Sequence, residues 1–396
     1  MLTRRHTTRA LPPALVGSAF YWTFWSLVAF YAPFINVYFR ELGLSGTQLG
    51  ILATVFPLFA LSAAPFLSSL ADRRARRRRM LQLNLVGWAV VLLIYPRLGT
   101  FGAILMLAVF EAAVRSPAIP LTDSLISRMA TRHRLNYGSL RLWGSLGFAA
   151  VATLSGRLWQ TWGYRPMFWV AALAVLPALL LTNRLEEGAP VPPQDRRALG
   201  ALLQDRGLLA LIGGAFLVGI ALYSTFVFGP VYLTELGGTQ LHVGLLFGLS
   251  ALAEVPVMQA SDALVRRLRG GNALLLGYGA VAVGLLGHAL AWSPASLIAA
   301  SIVKGVGYGM FYVVTLRLID ERVPPDWTST AQSLFQACLL GLAPLLTAGL
   351  SGAIYDRFGP AALYAGMTTT VLLAIGLLLV AGQRRWLDPA TPVISA

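Results

Sequence analysis

The chain has 396 residues, of which 57% are hydrophobic and 12% charged, about half the charged share of a soluble domain. With a mean hydropathy of +0.68, this excludes an ordinary soluble globular protein and points to membrane-spanning helices, whose backbone polar groups are satisfied internally. The net charge of +15 is therefore read as an orientation signal on loops and not as a nucleic-acid surface, because no polar domain carries a basic stripe interleaved with aromatics.

Arg4, Arg5 and Arg9 precede a long apolar run with no small-residue cleavage site, so the first span is expected to be retained. Apolar segments of about 20 residues predict spans at 15–39, 47–70, 80–98, 100–127, 137–159, 164–183, 208–234, 240–263, 272–292, 295–320, 328–354 and 360–382. The expected fold is thus an all-α polytopic membrane protein of twelve transmembrane helices. Of the 31 basic residues, 22 fall with the N-terminus on one set of connections, five on the opposite loops or the span ends beside them, and four deeper within spans. That asymmetry predicts cytoplasmic termini in the cytoplasmic membrane.

The polar, proline-rich stretch 184–206 cannot cross a bilayer and reads as a cytoplasmic linker between two six-helix bundles, 1–183 and 207–396. A repeat supports the division. Val37-Tyr38-Phe39-Arg40-Glu41-Leu42-Gly43 recurs as Val231-Tyr232-Leu233-Thr234-Glu235-Leu236-Gly237, and Leu154-Ser155-Gly156 recurs as Leu350-Ser351-Gly352. Two similar halves with a site between them are the architecture of many secondary transporters.

Enzymatic alternatives find little footing. No phosphate-binding Gly-x-x-x-x-Gly-Lys-Ser/Thr loop exists, and Gly305, Gly307 and Gly309 read as a helix-packing surface. His6, His133, His242 and His288 are scattered, without metal-ligand spacing, and Cys338 is the only cysteine. No metal, cofactor or intramolecular disulfide is expected.

Charges at bilayer depth are expensive and need a partner or an aqueous cavity. Glu111 and Arg115 are four apart on span 4 and can pair along the helix, while Asp123 lies roughly 80° further around the wheel. All three are expected to face one interior surface. Span 5 adds Arg141 and, on nearly the same face, Phe148; span 8 adds Glu254; span 10 adds Lys304, the only lysine. A buried lysine releases its proton readily, unlike arginine.

Between spans 2 and 3, Ser68-Ser69-Leu70-Ala71-Asp72-Arg73-Arg74-Ala75-Arg76-Arg77 resembles the Gly-x-Leu-Ala-Asp-Arg-x-Gly-Arg-Arg signature of the major facilitator superfamily, with both glycines replaced. Ala29-Phe30-Tyr31-Ala32-Pro33-Phe34, Tyr137 to Phe148, and Gly270 to Leu276 resemble the branch that contains lactose permease, the phenylpropionate transporter and related nucleoside or oligosaccharide proton symporters. The resemblance implies a monomeric secondary transporter. It implies gating by Asp72, Arg73 and Arg76, and substrate contact by Asp123, Arg141, Phe148 and Glu254. Lys304 matches a family lysine, but Gly307 and Met310 occupy the positions of the permease's proton-coupling His and Glu. Lactose itself is thereby disfavoured, and a proton carrier must be sought among Glu111, Asp123 and Glu254.

These readings converge on a transporter of a small polar organic solute (a sugar, nucleoside or aromatic acid), with protons as the coupling ion and the lipid bilayer as its surroundings. Lys304 or Arg115 would meet a substrate carboxylate. The rivals are an exporter of apolar compounds and a membrane sensor or scaffold that has lost coupling.

Overall fold

The computed structural model describes residues 11–73, 76–187, 200, 202–268 and 270–386. Its elements are helices: α1 (Pro13–Tyr31), α2 (Ile35–Glu41), α3 (Gly46–Leu61), α4 (Ala63–Arg73), α5 (Arg77–Ile94), α6 (Phe101–Arg115), α7 (Ala118–Arg132), α8 (Tyr137–Trp162), α9 (Arg165–Thr182), α10 (Arg206–Glu235), α11 (Gln240–Leu268), α12 (Gly270–Ala289), α13 (Pro294–Asp320), α14 (Pro325–Gln336) and α15 (Ala343–Gln383). A π-helical stretch, Ala337–Leu342, joins the last two. Among the described residues, ten helical stretches are long and apolar enough to cross a membrane. Large apolar side chains such as Leu83, Met106, Phe110, Leu173, Leu180 and Leu350 are exposed, as a multi-pass membrane protein requires of its lipid-facing surface.

Two predicted spans take a different form. The 26 residues of α8 suffice to cross a membrane, but Arg141, Arg157 and a run of Gly, Ser and Thr leave the helix less apolar than the other ten. The last stretch, Trp327–Gln383, runs for 57 residues and turns at Gly359 (φ 80°, ψ 173°), which divides it near the predicted boundary between 354 and 360.

The internal repeat has a backbone counterpart. The positive-φ glycines among the described residues are Gly43, Gly163, Gly237 and Gly359. They form two pairs, Gly43 with Gly237 and Gly163 with Gly359, at about the offset of the sequence repeat. Each ends a helix or turns the chain in the left-handed region, where a Cβ is disfavoured.

The buried core runs through α1, α5, α8 and α9 in the first part of the chain and through α10, α12, α13 and α15 in the second. The two parts meet along two seams, α3 against α15 and α8 against α11. Small residues set both. A Cβ on Gly50 would fall inside contact distance of the Ala348 carbonyl, and one on Gly244 would do the same at Ala152. A Cβ on Gly156 would come within 2.6 Å of the Gln240 carbonyl oxygen. Gly50 and Gly244 are themselves repeat mates.

This closeness yields a prediction. Gly50→Leu is expected to disfavour this conformation by about 1 to 3 kcal/mol through overpacking, read as a lengthened distance between spin labels at Leu42 and Phe358. An unchanged distance would mean that the seam tolerates the added volume.

At the opposite end from residues 40–46, short polar segments are tied to the helices. The Glu187 carboxylate accepts from the amides of Arg77 and Arg78, both at 3.0 Å, and so caps α5. Glu186 meets Arg132 at 3.0 Å and His133 at 2.8 Å. The hydrogen bond from His133, reinforced by Arg132, holds the Glu186 carboxyl below the usual carboxylate range. That tether is present at neutral pH and is lost as the pH falls through the lowered pKa.

Candidate functional site

Helices α1, α7 and α8 bring together a charged pair inside the apolar bundle. Asn136 caps α8, its side chain accepting from the Ser139 amide at 3.1 Å, and the first turns of that helix present Tyr137 and Arg141. The Arg141 guanidinium donates to Asp123 Oδ1 at 3.3 Å. The Tyr21 hydroxyl donates to the same oxygen at 2.7 Å and lies 2.8 Å from the Tyr137 hydroxyl. Two turns further along α8, Phe148 meets Trp25 edge to face, with ring centroids 6.5 Å apart; a Cβ on Gly144 would collide with the same indole.

The pair is not sealed. The Arg141 and Asp123 side chains are 44% and 34% exposed, although they lie among helices of membrane-spanning length. From the second part of the chain, Tyr308 and Tyr312 of α13 come within electrostatic reach of Arg141, and Tyr312 within reach of Asp123. The arrangement offers one anion, one guanidinium, several hydroxyls and an aromatic face in a single accessible region.

Glu111 and Arg115 form a separate, deeper cluster. They pair at 3.2 Å. Tyr31 donates to Glu111 Oε1 at 2.9 Å and Tyr95 to Oε2 at 2.7 Å. The Arg115 guanidinium also reaches the Tyr31 hydroxyl at 3.0 Å and lies 4.2 Å from the centre of the Phe56 ring. Asp123, expected on the same interior surface, takes other partners, Arg141 and Tyr21, so the two acids belong to separate hydrogen-bond networks. Ser116 and Pro117 keep right-handed helical φ and ψ between α6 and α7, with the Ser116 amide still bonded to the Ala112 carbonyl, so 101–132 continues as one membrane-length stretch although Pro117 has no amide to donate.

Glu254 of α11 and Lys304 of α13 are electrostatic partners, yet among the described residues neither closes an ion pair. Close packing brings their helices together: a Cβ on Gly309 would lie 3.0 Å from the Glu254 carbonyl oxygen, and one on Gly305 2.5 Å from the Ser250 carbonyl oxygen. One turn before Lys304, Ser301 hydrogen-bonds His288 Nε2 at 3.0 Å, while His288 Nδ1 sits 2.8 Å from the Gly284 carbonyl. A carbonyl can only accept, so Nδ1 carries a proton and Nε2 accepts from the serine. His288 thus packs as a satisfied core residue.

Of the predicted gating residues, Arg76 stands exposed just before α5. The side chains of Asp72 and Arg73 lie outside the described residues, as does that of Asp262. A different cluster, at the end formed by residues 40–47, joins the two parts of the chain. Arg40 pairs with Glu235 at 3.5 Å, and Glu235 accepts from the Tyr355 hydroxyl at 2.7 Å. Asp356 accepts from the amides of Gly46 and Thr47, both at 2.7 Å, and from the Thr47 hydroxyl at 2.8 Å. Sequence reasoning missed Arg40, Glu235 and Asp356 as functional residues. A signal for the first two was present in the repeat, which carries Arg40-Glu41 in one copy and Thr234-Glu235 in the other, while Asp356 lies outside it. Tyr21, Tyr31 and Tyr95 were missed too, although a buried tyrosine hydroxyl ordinarily demands a partner.

Comparison with known proteins extends the picture. Maltose permease of Geobacillus stearothermophilus is 30% identical over 358 residues, covering 89% of this chain and 90% of the permease. A protein of Escherichia coli (strain K12) named "Probable 3-phenylpropionic acid transporter" is 27% identical, with 86% and 90% covered. Among solved structures, a variant of the nucleoside transporter NupG superposes with a TM-score of 0.82 at 15% identity, covering 93% of this chain and 99% of that one; at that identity the likeness concerns the fold. A family model described as the MFS_1 like family matches residues 15–365, and the chain belongs to that family, a transporter of the major facilitator superfamily.

Proposed function

We propose that this transporter carries a small polar organic solute, with sugars the favoured class, across the cytoplasmic membrane by alternating access and in symport with protons. The reading takes twelve spans in two pseudo-symmetric six-helix bundles, 1–183 and 207–396, joined by a linker at 184–206, in a monomer with both termini cytoplasmic. The paired offsets of the positive-φ glycines support the two halves, and the gathering of basic residues at one end supports the orientation. On that orientation, the Arg40, Glu235 and Asp356 cluster closes the outer end, and the Asp123–Arg141 region opens toward the cytoplasm. Asp72, Arg73 and Arg76 would latch the inner end in the alternate state.

The observation that carries the reading is the accessible Asp123–Arg141 pair beside Phe148 and Trp25. A carboxylate and a guanidinium together satisfy adjacent hydroxyls, one accepting and the other donating, and an aromatic ring takes the apolar face of a sugar. The 30% identity to maltose permease supports the same class. A carboxylate-bearing solute is the second reading, favoured by Lys304, which closes no ion pair among the described residues; Arg115 is less suited because Glu111 already holds it.

Of the three acids considered for coupling, we assign the proton to Glu254. Glu111 is committed to Arg115 and two tyrosines, and Asp123 to Arg141 and Tyr21, whereas Glu254 closes no ion pair among the described residues and has Lys304 and Tyr308 within electrostatic reach. Protonating it would leave a neutral side chain in the occluded state, which lowers the cost of burial.

Uptake of maltose, nucleosides and aromatic acids into proteoliposomes, with and without an imposed pH gradient, tests the proposal. Gradient-driven accumulation of a sugar is expected. Glu254→Gln should abolish accumulation while sparing exchange of internal for external solute. Accumulation that ignores the gradient would end the symport reading.

A further inference from the structure

A groove of about 630 Å3 runs along the outside of the bundle where α8 meets α1 and α11, bordered by Trp22, Ala150, Leu154, Arg157, Leu241 and Leu252. Its volume lies within the range of small-molecule sites, but it is not the substrate region. Ala150 is nine residues from Arg141, and Arg157 nine from Phe148, separations that place each about 180° around the helix from its mate. The groove therefore faces away from the charged pair and toward the bilayer, and Leu154 and Leu252 on its border are exposed.

Arg157 is the polar feature that selects an occupant. It is exposed and forms no ion pair among the described residues. It lies five residues before the end of α8 at Trp162, or about 7.5 Å along the helix, where a long basic side chain reaches the headgroup layer. Below it the groove is floored by small residues and walled by Trp22 and Leu252, which suits a hydrocarbon chain. An apolar channel under a single cation matches an amphiphile with one negative charge, and the bilayer supplies such molecules directly.

We propose that this groove binds one anionic phospholipid, with its phosphate on Arg157 and an acyl chain laid over Ala150 between Trp22 and Leu252. The bound lipid lies across the seam at which Gly244 packs on Ala152, so it touches both parts of the chain at once. The inference rests on the membrane-spanning fold and not on the identity of the solute.

Native mass spectrometry of the purified full-length protein, incubated with phosphatidylglycerol or phosphatidylcholine in detergent, tests it. The wild type is expected to retain phosphatidylglycerol in preference to phosphatidylcholine. Arg157→Gln should lower phosphatidylglycerol retention by about tenfold, as expected for loss of one charge-assisted contact, to the level of phosphatidylcholine. Ala150→Leu, which fills the floor but keeps the cation, should lower retention of both lipids. Equal retention of the two lipids by the wild type, an undiminished preference in Arg157→Gln, or unchanged retention in Ala150→Leu would each overturn the proposal.

Discussion

Arg141→Gln is expected to lower the initial rate of solute uptake by at least about tenfold, and Asp123→Asn by a similar factor, with little change in thermal stability. The factor corresponds to the loss of one charged hydrogen bond to the solute. Because both side chains are partly exposed, water can replace each of them in the empty protein, so the cost falls on the loaded state and not on folding. Arg141→Lys should rescue poorly, since an ammonium cannot reproduce the planar fork that contacts Asp123 and a bound hydroxyl together. The double substitution is expected to cost less than the sum of the two single ones, as befits residues in direct contact. Uptake that survives both single substitutions at full rate would place the solute elsewhere.

Glu111→Gln should behave in the opposite way. It removes the only anion at ion-pair distance from Arg115 among the described residues and replaces an acceptor of two tyrosine protons with an amide that brings donors of its own. Arg115 would remain charged and enclosed by Phe56, Trp88 and Tyr31. Breaking such a buried pair costs about 3 to 5 kcal/mol, to be read as a lowered unfolding midpoint in detergent. Uptake per folded molecule should change little. A stable Glu111→Gln protein with lost pH dependence of uptake would instead make Glu111 a proton carrier.

The helices and their ends were legible because the physics that sets them is local. Apolar length located ten helical stretches long enough to cross a membrane, and the repeat around Gly43 and Gly237 marked two turns that the backbone indeed makes with positive φ. The separation of 18 residues between Asp123 and Arg141 was recognisable through resemblance, and the two do meet. What escaped was non-local. No periodicity indicates that Tyr21 would cross to Asp123, more than a hundred residues away, or that Trp88 would donate to Tyr31. The wheel grouped Glu111 with Asp123 along one helix, but it carries no sign that each would be taken up by its own arginine and tyrosine. The cluster of Arg40, Glu235 and Asp356 was hidden for another reason: charged residues at loop edges look solvated, and only the assembled fold reveals that Asp356 faces the start of α3.

That last contact makes the joining of the two parts at this end a matter of backbone chemistry. Ser45 and Gln48 cap α3 from within its own sequence, but the amides of Gly46 and Thr47 find their acceptor on a helix more than three hundred residues away. If the proposed alternating access parts this end, those two donors and the Asp356 carboxylate must be handed over to water, and on return water must be stripped from all three. On that reading, a helix whose first amides are held by a residue so distant in sequence would sense the state of the whole molecule at its first turn. Amide exchange at Gly46 and Thr47 would then report each opening of the carrier without any probe being attached.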